Sequence, residues 1–304
     1  MALETERLIE RQRLKRRTRL WQGLFLVAAA VAVYLLVADK LVGGETGDRI
    51  ARLSVTGIIT NDADREEALR ELADDAEVKA LVIRIDSPGG TFVGGEALYH
   101  AIRDVAEKKP VVAVMEGVAA SAAYMIAVAG DHIVAREGTL TGSIGVIMQS
   151  ANVVELLESI GIRPESIKSD PLKGQPSPFE ETLPAARRWS QVIVDQMQDI
   201  FVAMVAQGRP DIATDNLEIL ADGRVFTGRQ AVENGLIDEI GGERAALDWL
   251  AAERDIDSSL PVREVTYGED ENWLAGVLTR TGKSLLPEPL TLDGLVSVWQ
   301  PDLR

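Results

Sequence analysis

The chain has 304 residues, 46% of them hydrophobic and 26% charged, which suits one large domain or two small ones and argues against general disorder. It has no cysteine and only two histidines, His100 and His132, which excludes thiol catalysis, disulfides and thiolate zinc sites and speaks against a His-based metal hydrolase. The net charge is −16, yet the first 20 residues carry seven Lys/Arg against three Glu; the remaining body, at −20, repels nucleic acid.

Residues 1–19 read as a basic cytoplasmic segment. Leu20 to Ala38 is apolar apart from Gln22 and Gly23 and, at about 19 residues, just spans a hydrocarbon core. The basic cluster before it predicts a single-pass anchor in a bacterial inner membrane, with the N-terminus cytoplasmic and the body outside. A cleaved signal peptide is the competing reading; its apolar region is normally shorter, and no clean cleavage site follows. Residues 39–47 form a glycine-containing linker, 48–267 the folded domain, and 268–304 a tail of weaker pattern.

Within the body, strands are expected at Arg49–Thr60, Lys79–Ile85, Pro110–Met115, Asp131–Arg136 and Val262–Tyr267. Helical spacing marks Asp64–Ala76, Val93–Glu107, Asn152–Ile160, Ala185–Gln207, Asp215–Ala221 and Glu243–Arg254. Pro88-Gly89-Gly90 predicts a turn with exposed amides, Glu165–Ser169 a short strand or extended segment, and Asn272–Leu285 an amphipathic stretch. Alternating strands and helices predict an α/β fold with a largely parallel sheet.

Ser121 lies between an apolar strand and an Ala-rich buried helix, where a nucleophile would sit with helix amides beside it. The plain alternative is a helix N-cap or a small packing residue. With histidine scarce, a lysine is the available base. It must be the free amine, which requires removal from water. Lys168 and Lys173, in a Pro- and Gly-bounded segment, are the candidates. The Ala122 amide and a glycine amide of Pro88-Gly89-Gly90 could form an oxyanion hole.

Five motifs stand in order: Asp86-Ser87-Pro88-Gly89-Gly90, Val118-Ala119-Ala120-Ser121, Leu140-Thr141-Gly142-Ser143-Ile144-Gly145-Val146, Ile167-Lys168-Ser169 with Lys173 beyond it, and Ala221-Asp222-Gly223-Arg224-Val225-Phe226-Thr227-Gly228. This array resembles the signal peptide peptidase A family of membrane-anchored serine proteases, peptidase family S49, over roughly residues 48–255. It is similar, more distantly, to the Clp protease and crotonase superfamily. The resemblance implies a ClpP/crotonase-like ββα spiral domain behind one transmembrane helix. It implies Ser121 as nucleophile, Lys173 rather than Lys168 as base, Gly89 and Ala122 as oxyanion donors, and Ser143 as the group orienting the lysine. No cofactor or metal is implied.

Implied substrates are signal peptide remnants or other short or unfolded peptides. A homo-oligomeric ring or dome is implied, with each serine meeting a neighbour's lysine. Tyr124 and Arg224 read as scaffold. One departure is plain: where the family has glycines after the serine, this chain has Ala122 and Ala123. An envelope quality-control protease of the same family remains an alternative. A crotonase-like acyl-CoA enzyme or a non-catalytic scaffold also stays open, each opposed by the anchor or by the retained Ser121 and Lys173.

Overall fold

A computed structural model of the chain describes residues 21–27, 29 and 47–268, and the backbone of 296–298. The chain divides into two compact units, Met1–Gly47 and Asp48–Arg304. In the first, residues 21–27 and 29 are helical. The rest of the expected 20–38 span, the 39–46 part of the linker and the Asn272–Leu285 stretch lie outside the described residues. No helix among the described residues is long and apolar enough to cross a membrane.

The second unit is a mixed α/β fold on one nine-stranded sheet. In chain order its elements are β1 (Arg49–Ile59), α1 (Ala63–Asp74), β2 (Val78–Thr91), α2 (Phe92–Ala106), β3 (Val111–Ala120), α3 (Ala122–Ala127), β4 (His132–Ala135), β5 (Leu140–Gly142), α4 (Val154–Ser159), α5 (Pro184–Gly208), α6 (Thr214–Leu220), β6 (Val225–Thr227), α7 (Gly228–Glu233), β7 (Glu239–Ile240), α8 (Glu243–Arg254), β8 (Val262–Glu264) and β9 (Val296–Val298). The order across the sheet is β6-β5-β3-β2-β1-β8, with β4 also on β3, β7 on β4 and β9 on β2. Among the described residues only β5–β6 and β2–β9 pair antiparallel.

The central strands read as near-continuous apolar runs because both faces are covered. Leu81, Ile83, Ile85, Val111, Ala113 and Met115 face the larger core, under α1, α2 and α3. Ala80, Val82, Val112 and Val114 face the other side, where α8 contributes Ala246 and Leu250. Helix starts follow local chemistry. Asp62 accepts from the Arg65 amide at 3.1 Å, Thr91 from the Gly94 amide at 3.1 Å, and Thr227 with Gln230 forms a capping box.

Two expectations are corrected. Pro88-Gly89-Gly90 is not a turn: β2 continues through it to Thr91, because β1 still supplies a partner, Ile58↔Gly89 and Ile59↔Gly90, after a register shift. Glu165–Ser169 forms no strand; its residues are mostly exposed and no neighbour offers a ladder.

Small residues set how closely α2 approaches α3. A Cβ on Gly95 would lie 2.9 Å from the Ala122 Cβ and 3.1 Å from the Met125 sulfur. The Ala122 methyl therefore packs against α2, in space that Gly95 leaves open. Gly95→Ala should cost roughly 1–3 kcal/mol of stability by overpacking. Adding Ala122→Gly should recover part of that loss, with a coupling of about 1 kcal/mol in urea unfolding of the double-mutant cycle. Strictly additive costs would show that the two positions do not share the space.

Candidate active site

The site grows from the end of β3. Through Ala120 this strand pairs on one edge with β5, the last pair being Ala120↔Gly142. The Ser121 amide then donates to the Gly142 carbonyl at 2.8 Å. Ser121 itself turns sharply, with φ 58° and ψ −123°. A non-glycine residue pays about 1–3 kcal/mol to hold such a conformation, so the surroundings must impose it. They do: every residue of α3 is buried, and the Met125 amide returns to the Ser121 carbonyl at 2.9 Å. Ser121 occupies the N-cap position of α3, yet its side chain makes no capping hydrogen bond. The N-cap explanation of this serine therefore fails, and the residue is 1% exposed.

Ser143 sits on the adjoining turn. Gly142, with φ 80°, has no room for a side chain: a Cβ would lie 2.7 Å from the Phe226 ring. Ser143 follows with φ 50°, its amide donating to the Arg224 carbonyl at 2.8 Å. Arg224 is thus a backbone anchor, and its guanidinium pairs with Asp222 at the surface. Among the described residues the non-glycine positive-φ positions are Ser121, Ser143 and Asp255; Asp255 only ends α8. Of the three strained positions, Ser143 thus directly follows Gly142, the residue whose carbonyl accepts from the Ser121 amide, the pattern of a functional turn.

Gly89 lies on β2 beside this turn, with φ 110°. Its amide donates to Ser87 Oγ at 3.1 Å, and the Ser87 hydroxyl donates to the Gly57 carbonyl at 2.6 Å. The expected oxyanion donor is therefore engaged locally. To bind an oxyanion it must exchange the Ser87 oxygen for the ligand. Ala122 begins α3 and carries the second expected amide. Gly90 cannot carry a side chain, since a Cβ would fall 1.8 Å from the Ile59 carbonyl oxygen.

The two lysines differ in their surroundings. Lys168 Nζ donates to Glu180 Oε2 at 2.5 Å, and Gln175 Nε2 reaches the same oxygen at 3.1 Å. The Lys168 hydrogen bond holds the Glu180 carboxyl below its usual range. Lys173 is exposed, on a turn closed by its amide to the Asp170 carbonyl at 3.0 Å. Among the described residues its ammonium has no hydrogen-bonding or ionic partner. No group of three or more His, Asp or Glu suited to a metal occurs among the described residues.

Sequence reasoning missed the support beneath α3. The Tyr124 hydroxyl, buried, donates to the Leu236 carbonyl at 2.8 Å, and burial pushes its pKa up so that it stays protonated. The same α7–β7 connection is held by Arg209, whose Nε donates to the Gly235 carbonyl at 2.8 Å. Both Arg209 terminal nitrogens reach the Asp238 carboxylate at 2.8 Å, and Asp238 also accepts from the Ile133 amide at 2.7 Å. Burial alone would raise the Asp238 pKa; the bonds from Arg209 outweigh it and the net shift is downward. His132 lies at the edge of this group, stacked on Trp249 with ring centroids 4.6 Å apart, a structural role. The signal that could have found the network is a buried-position Tyr after the serine; the Arg209–Asp238 pairing, 29 residues apart, has no local trace.

Asp238→Ala leaves Arg209, 11% exposed, without its carboxylate, and should cost about 2–4 kcal/mol in chemical unfolding. Because the folded-state pKa of Asp238 is depressed, its contribution is present above the unfolded value of about 4 and disappears as pH falls through the folded value. Wild type should therefore lose stability relative to Asp238→Asn on acidification below about pH 4, read as converging thermal midpoints.

The description of peptidase family S49 matches residues 103–257, which contain Ser121, Ser143 and both lysines. A Synechocystis sp. relative named as a protease is 42% identical over 208 residues, 68% of this chain and 74% of its own. An Enterococcus faecium relative bearing the name signal peptide peptidase SppA is 32% identical over 255 residues, 79% of this chain and 74% of its own. Protease 4 of Haemophilus influenzae is 30% identical over 220 residues, 69% of this chain but 35% of its own. With the strained serine turn standing inside the matched region, the chain belongs to peptidase family S49, as a serine peptidase related to SppA and protease 4.

Proposed function

We propose that this protein is a membrane-anchored endopeptidase with a Ser121–Lys173 dyad that degrades signal peptide remnants or other short or unfolded peptides at the outer face of a bacterial inner membrane. The observation that carries this reading is the Ser121 turn, strained, buried and without a capping role. The apolar Leu20–Ala38 run and the basic residues before it support the anchor. The domain itself is read as one ClpP/crotonase-like ββα spiral.

The dyad is completed between copies of the chain. Lys173 is exposed, and the segment around it turns apolar groups outward: Ile167 is 98% exposed and α4 has no buried residue. Such a surface calls for a partner. A second copy fits because each chain supplies one serine and one lysine, and its approach would take Lys173 out of water, as a lysine base requires. Lys168, held by Glu180, is left as a loop anchor. Ser143, adjoining the serine turn, is the residue that orients the incoming amine.

The reaction follows from these parts. The neutral Lys173 amine takes the Ser121 hydroxyl proton as Oγ bonds to the peptide carbonyl carbon. The carbonyl electron pair moves to oxygen, held by the Ala122 and Gly89 amides, the latter released from Ser87 Oγ. Collapse breaks the C–N bond, and the lysine gives its proton to the departing amine. Water, deprotonated by the same lysine, then hydrolyses the acyl-enzyme.

A serine-directed fluorophosphonate should label the purified protein. Ser121→Ala should abolish labelling, Lys173→Ala should slow it by about 10²–10⁴-fold, and Lys168→Ala should leave it largely intact. Equal labelling of wild type and Lys173→Ala would overturn the dyad. Mixing inactive Ser121→Ala with inactive Lys173→Ala chains should restore peptide hydrolysis; no recovery would place the lysine within its own chain.

A further inference from the structure

Helix α5 lays one stripe on the core. Val194 and Met197 are half-buried against it, and Phe201, Met204 and Val205 are buried. Gln198 stands in the middle of that stripe, a polar side chain where the spacing asks for an apolar one. Its Nε2 donates to the Ala221 carbonyl at 2.9 Å and, more loosely, to the Ile144 carbonyl at 3.5 Å. Two carbonyl partners settle which end of the amide is nitrogen. Its Oε1 is buried and accepts no hydrogen bond among the described residues. An unsatisfied acceptor is a standing cost, so this glutamine is worth its place only for what its nitrogen holds.

The two carbonyls belong to the two segments that build the Ser143 turn. Ile144 directly follows Ser143. Ala221, at the end of α6, leads into the segment whose Arg224 carbonyl accepts the Ser143 amide. These segments also meet backbone to backbone: Gly142 pairs with Val225, and a Cβ on Gly145 would lie 3.3 Å from the Gly223 Cα. Gln198 adds a tie from a third element. Helix α5 is itself seated on the helix of the serine, since a Cβ on Gly208 would lie 2.2 Å from the Val128 carbonyl oxygen at the end of α3. One helix thus bears on both the serine and the turn beside it.

We propose that Gln198 is a positioning residue: its side-chain amide sets where Ser143 stands relative to Ser121, and so how the incoming lysine amine is aimed. The proposal rests on the Ser121–Lys173 reading above, with Ser143 as the orienting group. Ser143, at φ 50°, holds a backbone conformation that relaxes unless the chain on both sides of it is fixed. Its own amide is fixed by Arg224, and the next carbonyl, that of Ile144, is held by Gln198. Gln198 acts through Ser143 and not on the reacting atoms. Because the proton passes from Ser121 Oγ to the amine only when the two are aligned, a displaced Ser143 costs turnover rather than binding.

The test compares the full chain with Gln198→Met, which keeps the length and helix preference of glutamine but has no N–H to donate. The backbone ties between the two segments remain, so this variant should unfold in urea at a midpoint close to that of wild type. Peptide hydrolysis should slow about tenfold, through kcat with KM unchanged, and fluorophosphonate labelling of Ser121 should slow to a similar extent. Ser143→Ala should slow both, and adding Gln198→Met to it should cause no further loss, because the glutamine acts through that hydroxyl. Hydrogen exchange of the segment containing Ser143 and Gly145 should quicken in Gln198→Met. Wild-type rates in Gln198→Met, a loss in KM alone, or a loss that adds in full to that of Ser143→Ala would each overturn the proposal. Should the methionine variant not fold, Gln198→Asn, whose amide falls a methylene short of the two carbonyls, is read by the same criteria. If wild type itself does not label at Ser121 while exchange still quickens in Gln198→Met, the clamp on Ser143 stands and the dyad reading falls.

Discussion

The constraint on which this structure turns is the backbone of one residue. Ser121 holds a conformation that an unconstrained chain would leave at once. It stays because its amide is fixed to Gly142 on β5 and its carbonyl is fixed within a helix that is entirely buried. Neither restraint is local. The first needs β3 to fork away from β2 toward β5, and the second needs α2, α5 and the α7–β7 connection packed around α3. The nucleophile geometry is thus a product of the whole domain rather than of a motif.

That dependence explains where glycine is indispensable. At Gly142 it lets Phe226 close over the turn, at Gly90 it lets β1 come against β2, and at Gly208 it brings the end of α5 to within 2.2 Å, measured from a notional Cβ, of the Val128 carbonyl oxygen at the end of α3. The same logic answers what Ala122 does in place of a glycine. Its methyl is directed at α2, where Gly95 has made room. The extra carbon is absorbed by the core and stiffens the start of α3.

Long, strongly patterned elements were legible in the sequence. Helix α8 falls at Glu243–Arg254, the span its periodicity marks, and α5 differs by one residue at each end. Strands β6 and β9, of three residues each, carry no period to read and exist because neighbouring backbone offers a ladder. Pro88-Gly89-Gly90 looks like a breaker in isolation; the parallel pairing with β1 overrides it. Ser121 was legible as a candidate from its strand-to-helix setting. The Arg209–Asp238 pair and the Ser87 bond to the Gly89 amide were not, because spacing along a chain says nothing of which distant groups converge. The difference between Lys168 and Lys173 likewise depends on Glu180, a partner visible only in three dimensions.

The pairing of β1 with β8 carries a kinetic consequence. Ile50 to Arg52 lie against Val262 to Glu264, and Arg52 bonds Glu264 at 2.7 Å across 212 residues. The first strand of the domain to emerge during synthesis therefore has its outer edge covered almost last. Closing so distant a contact is slow, and until it closes the chain displays a bare strand edge to any neighbour. The charges of Arg52 on that edge, and of Glu243 and Glu264 that later meet it, make the waiting strand a poor template for association while marking the partner it awaits.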